Sequence, residues 1–73
     1  MAQLQFRLRE LMAEKERKTG ENVTYATMQI ATGISPNTLS TMANNKVKMV
    51  GITTLERLID FFDCEVGELM VYE

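Results

Sequence analysis

Residues 24–45 read TYATMQIATGISPNTLSTMANN, and this stretch decides the fold. It holds two helix-length segments separated by a sharp turn. Gly33 stands where the first must stop, because glycine takes the left-handed geometry of a helix C-cap at little steric cost. Two residues on, Ser35-Pro36 marks a new start. Serine accepts from the orphan N–H groups, and proline at the first helical position gives up no hydrogen bond. In the second helix Leu39, Met42 and Ala43 share the inward i, i+3, i+4 stripe. Asn37, Thr41 and Asn44 lie opposite, with Ser40 beside them and Thr38 and Asn45 towards the other edge. No charged residue occurs from Val23 to Asn45. An ordinary surface helix carries Lys and Glu for solubility and i,i+4 pairing, and Asn, Thr and Ser are poor helix formers. A face built at the expense of helix propensity points to a binding use for its amides and hydroxyls.

Two helices joined this tightly let the second protrude, the geometry that places side chains in a DNA major groove. The segment TGISPNTLSTMANNK, residues 32–46, resembles the helix-turn-helix of lambda-repressor-like (Cro-type, Xre family) DNA-binding proteins. There a T-G-[IV]-S turn precedes a recognition helix of the form xxTLSxxxNxK. RLRELMAEK (7–15) looks like the first helix of that family, TTLERLIDFF (53–62) its fourth and CEVGELMVYE (64–73) its short closing helix, so the likeness covers roughly residues 6–72. It implies an all-α, compact five-helix domain over residues 1–73, with the helix-turn-helix at helices 2–3 and a recognition helix at 36–45. Two positions depart from the family. Gln29 stands where a small alanine usually follows the apolar residue of the first motif helix. Thr41 replaces the outward Arg or Gln, which removes the bidentate guanine contact.

Composition narrows the function classes. With one cysteine, Cys64, the 73 residues can form no internal disulfide, and a reducing cytoplasm suits them. There is no histidine, which removes most acid–base and metal schemes and leaves Cys64 without a base to activate it. Cys64 reads as a small half-buried residue before the last helix. No catalytic constellation, cofactor motif, metal site or small-molecule pocket is expected, so the chain does not read as an enzyme. The polar N-terminus has no signal-peptide core, and no apolar run approaches the roughly 20 residues that cross a bilayer.

The net charge of −2 is unevenly spread. Residues 1–20 balance to +2 and 21–50 to +1, whereas 51–73 balance to −5. The field at one end can therefore be positive while the other is acidic, and screening over about 8–10 Å makes the local field the relevant one.

Periodicity organises the remainder. Leu4, Leu8, Leu11 and Met12 fit a first helix ending near Lys18-Thr19-Gly20. Leu4, Phe6 and Leu8 equally alternate as a short strand, which would pair with Met70–Tyr72. Residues 17–23, RKTGENV, read as a polar loop. Thr24 starts the second helix, with Met28 inward. Thr53 and Glu56 have the T-x-x-E spacing of a capping box for the fourth helix, with Leu55, Leu58, Ile59 and Phe62 as its core face. Val66, Leu69 and Met70 are expected to close the core.

The expected function is sequence-specific binding of double-stranded DNA by a small transcriptional repressor. Phosphate contacts would come from Lys46 and Lys48, from Asn44 and Asn45 beside them, and from the N-termini of both motif helices. Tyr25 matches a backbone-contacting position of the family it resembles. Asn37 can pair bidentately with adenine, Thr38, Ser40 and Thr41 can meet bases through hydroxyls or a methyl, and Pro36 offers apolar contact only. One such domain reads about four or five base pairs, so a homodimer on half-sites about 34–36 Å apart is expected. Phe6, Phe61, Val71 and Tyr72 are the apolar surplus that would build it. The competing reading is a protein-interaction module of the same fold, antitoxin-like or an accessory subunit, favoured by the acidic charge and the missing Arg.

Overall fold

The computed structural model describes residues 3–73; the first two residues of the domain expected over 1–73 lie outside them. The described chain runs β1 (Leu4–Phe6), α1 (Leu8–Thr19), α2 (Tyr25–Thr32), α3 (Pro36–Ala43), α4 (Ile52–Phe62), α5 (Val66–Leu69) and β2 (Met70–Tyr72). Five helices surround a core of Leu8, Leu11, Met28, Leu39, Met42, Leu58 and Leu69, to which every helix contributes. Burial of these side chains is the main driving force holding the short helices together. No helix among the described residues is long and apolar enough to cross a membrane.

The ambiguity at the start of the chain resolves as a strand. Leu4 pairs with Tyr72, Gln5 with Val71 and Phe6 with Met70 in an antiparallel ribbon. Bonds outside the strands, Glu73 N–H to Gln3 C=O at 3.0 Å and Arg7 N–H to Leu69 C=O at 2.9 Å, extend the ladder at both ends. Leu4 therefore does not belong to the helical stripe, and α1 starts at Leu8 after Arg7 leaves extended geometry. Opposed residues of a ribbon share a face. Leu4, Phe6 and Met70 accordingly line a groove against Val47, Met49 and Val50.

The polar loop expected over 17–23 is shorter than that. Arg17, Lys18 and Thr19 form the last turn of α1, which closes on Gly20 at φ 74°. Glu16 then accepts the Val23 N–H at 2.9 Å, drawing Val23 into the core. Thr24 caps α2, with Thr27 Oγ1 accepting the Thr24 N–H at 2.9 Å in return.

The turn between α2 and α3 forms as its residues dictate. Gly33 ends α2 at φ 77° and donates to Gln29 C=O. Buried Thr32 donates to Met28 C=O at 2.6 Å and accepts the Ile34 N–H at 3.2 Å, so its hydroxyl satisfies the turn from inside. Arg57 of α4 reaches across to Thr32 C=O at 3.4 Å. A Cβ on Gly33 would also lie 3.4 Å from Arg57 Nη1. The Gly33→Ala protein is therefore expected to lose about 1–2 kcal/mol, chiefly from forcing an L-residue into left-handed geometry. Urea midpoints measure this against Gly20→Ala, where the same geometry meets no neighbour within 4 Å. An unchanged midpoint for Gly33→Ala would show that the turn does not need this geometry.

Two expectations about the C-terminal half are corrected. The Thr53–Glu56 capping box does not form, because α4 begins at Ile52 with Gly51 as its N-cap and no side-chain cap bond. The chain enters through Gly51 in extended geometry, so Thr53 is already inside the first turn. Along α4, Leu58 is fully buried, while Leu55, Ile59 and Phe62 are half-buried against the core. Val66 is 52% exposed and does not close the core; as the first residue of a one-turn helix it faces out, and Leu69 takes the buried position.

Candidate nucleic-acid interface

α3 is placed by its buried edge. Leu39, Met42 and Ala43 enter the core, which turns Asn37 fully outward and leaves Pro36, Thr38, Ser40 and Thr41 at half-buried shoulders. The five candidate base-contact residues thus occupy one continuous outer surface. Their polar groups differ in freedom. Ser35 Oγ accepts the Thr38 N–H at 3.2 Å and donates to Thr38 Oγ1 at 2.9 Å, so this pair is engaged in capping the helix. Thr41 Oγ1 donates to Asn37 C=O at 2.8 Å, which spends its proton and leaves the hydroxyl only its lone pairs for another partner. The Asn37 side chain has no hydrogen-bond partner among the described residues, so its amide presents both a donor and an acceptor.

The end of α3 is a left-handed cap. Asn45 sits at φ 57°, Asn45 N–H bonds Met42 C=O and Lys46 N–H bonds Thr41 C=O, each at 3.0 Å. These are the two bonds of a Schellman motif, and asparagine tolerates the geometry better than most residues. Asn45 has a structural task as well: its Oδ1 accepts the Phe6 N–H at 2.7 Å and ties the helix end to β1. Asn44 Oδ1 accepts from Arg9 of α1. Both asparagines are exposed and keep amide nitrogens for an outside acceptor, though Asn44 Nδ2 also lies 3.5 Å from Ser40 Oγ. Lys46 and Lys48 are exposed in the loop that follows.

α2 contributes from its start. The Thr24 cap satisfies the Thr27 N–H at 3.2 Å, leaving the Tyr25 and Ala26 N–H groups of the first turn for an external acceptor. Tyr25 is half-buried against the core. Gln29 is exposed, so the larger residue at this position is not wedged between the motif helices.

The structure brings Thr32, Arg57, Glu16 and Arg9 into the support of this surface, none of which was expected there. Thr32 belonged to the quoted turn motif. The other three carry no local signal, since their partners lie seven to 35 residues away.

The acidic end is separate. Arg17 shares a groove with Glu14 and Glu68, and Lys18 shares one with Asp63 and Glu68, away from α3. Lys15 donates to Phe61 C=O at 2.9 Å and lies 4.6 Å above the Phe61 ring, which fixes a residue expected to be apolar surplus. Cys64 is half-buried, and burial, then the charges of Glu68 and Asp63, push its thiol up, so it stays protonated at neutral pH. Among the described residues no group of three His, Cys, Asp or Glu is placed to hold a metal ion.

A comparison with curated proteins and with solved structures gives no match. A family model described as the Cro/C1-type helix-turn-helix DNA-binding domain matches residues 7–73, which spans α1 to β2. The outward face of α3, the cap that anchors it and this match over nearly all of the chain agree: the protein belongs to the Cro/C1-type helix-turn-helix DNA-binding family.

Proposed function

We propose that the chain is a sequence-specific repressor that reads double-stranded DNA with α3 in the major groove. The observation that carries this reading is the uncharged outer face of α3, with the free Asn37 amide at its centre and Lys46 and Lys48 directly after it. Asn37 reads adenine, Thr38, Ser40 and Thr41 add hydroxyl or methyl contacts, and Pro36 packs on the groove wall. Tyr25, Asn44, Asn45, Lys46 and Lys48 hold phosphates and supply most of the affinity. Without an Arg at position 41, half-sites lean towards A·T.

The proposed acting form is a cytoplasmic homodimer. Tyr72 is 71% exposed and Leu4 59% exposed on one face of the terminal ribbon, with Met49 at 89% in the adjoining loop, which gathers exposed apolar side chains at one place. Phe61, committed to Lys15, is not part of that face.

Selection from a random duplex pool at low salt, followed by sequencing, tests both statements. An enriched palindrome with A·T-leaning halves about one helical turn apart is the expected result. A single enriched half-site would remove the dimer and keep the readout. Retention of all sequences alike would mean phosphate binding without readout. No retention would favour an interaction module, consistent with the charge of −5 over residues 51–73.

A further inference from the structure

We propose that Arg9 is a DNA-backbone contact, a guanidinium delivered by α1 to the phosphate beside the C-terminal end of the reading helix and oriented there by Asn44. This rests on α3 lying on DNA as proposed above. Arg7 and Arg9 are near neighbours with different fates. Arg7 Nε donates to Glu10 Oε2 at 2.7 Å, and this ion pair, the one salt bridge among the described residues, neutralises it locally. Arg9 instead donates through Nη2 to the neutral Oδ1 of Asn44. Its charge is therefore uncompensated by any direct partner, and it is exposed. A guanidinium carries five N–H donors in a rigid fork, of which Asn44 takes one. The rest are open to an acceptor, beside an asparagine only two residues before Lys46.

Two carboxylates line the same groove, Glu10 and Glu73. Glu10 is already held by Arg7, and Glu73, just past β2, makes no ion pair or hydrogen bond with Arg9 among the described residues. A purely structural role explains less. The Ser40, Met42 and Thr41 carbonyls at the end of α3 accept the backbone N–H groups of Asn44, Asn45 and Lys46, and Arg9 bonds none of them, so these capping bonds form without it. The contact joins residues 35 apart in sequence, so the guanidinium is held beside the end of α3 from a separate element. A phosphate held by Arg9 and Lys46 would be gripped from two elements at once. That fixes the depth of α3 in the groove in a way that two lysines on one loop cannot.

The test is the salt dependence of binding to a random-sequence duplex, with wild-type protein, Arg9→Ala, Arg9→Lys and Arg17→Ala. Loss of one phosphate contact lowers the slope of log K against log salt by about 0.9, and weakens binding about fivefold near 0.15 M salt. Arg9→Ala is expected to show both, while Arg9→Lys keeps the slope and Arg17→Ala, at the other end of the same helix, matches wild type. Thermal melts of the same proteins separate a stability role, which would lower the melting temperature of Arg9→Ala and leave the slope intact; that result overturns the proposal. Equal slope losses for Arg9→Ala and Arg17→Ala also overturn it, since net charge would then suffice. Wild-type protein that binds no DNA would overturn the repressor reading together with this one, whereas wild-type binding unaffected by Arg9→Ala overturns this one alone.

Discussion

Leu39→Ala is expected to remove about 2–5 kcal/mol of stability, the range for deleting a fully buried leucine and leaving a partly collapsed cavity. Leu39 is 0% exposed, packed in the same core as Leu8, Met28, Met42 and Leu58. At about 0.05–0.15 kcal/mol per residue, a domain of this size has only about 4–11 kcal/mol in total. The substitution therefore takes a large share, and the thermal midpoint should fall by roughly 10 °C or more, using about 4–8 °C per kcal/mol for a domain of this size. Leu39 is also the residue that turns Asn37 outward, because the two lie on opposite sides of α3. DNA binding should fail at temperatures where the fold is still partly populated. A midpoint within about 2 °C of wild type would mean that α3 is not anchored by this side chain.

Asn37→Ala has the opposite profile, with an intact fold and impaired readout. The Asn37 side chain is exposed and bonds nothing among the described residues, and its backbone carbonyl, which accepts from Thr41, survives the change. Alanine is the better helix former, so stability should hold or rise slightly. Against a selected site the affinity is expected to drop by about 1–3 kcal/mol, with relaxed preference at one base position. Random duplex DNA should bind as before, since phosphate contacts carry that affinity. Paired titrations against site and random DNA read the ratio directly. Equal losses on both would place Asn37 on the backbone, and no loss on either would take it off the interface.

Much of this architecture is legible in short segments. Gly33, Ser35 and Pro36 each constrain backbone geometry within a residue or two, and the turn and caps form where those constraints put them. The inward stripe of α3 follows from helical periodicity alone. The same local reasoning fails at Thr53, where a valid capping signature is overridden by a chain that enters through Gly51. It also fails at Val66, since a single turn of helix has too little periodicity to say which residue faces in.

Leu4 fits both the helical stripe with Leu8, Leu11 and Met12 and the alternating pattern with Phe6 and Leu8, and only a partner strand more than 60 residues away chooses between them. The bonds from Phe6 to Asn45 and from Arg9 to Asn44 are of the same kind. The helix-turn-helix and the uncharged outer face of α3 thus follow from sequence alone, because dihedral limits, caps and helical period act over a few residues. The terminal ribbon and the tethering of both asparagines at the end of α3 came from tertiary contacts. Those depend on hydrogen bonds and packing between groups that become neighbours only once the chain has closed on itself.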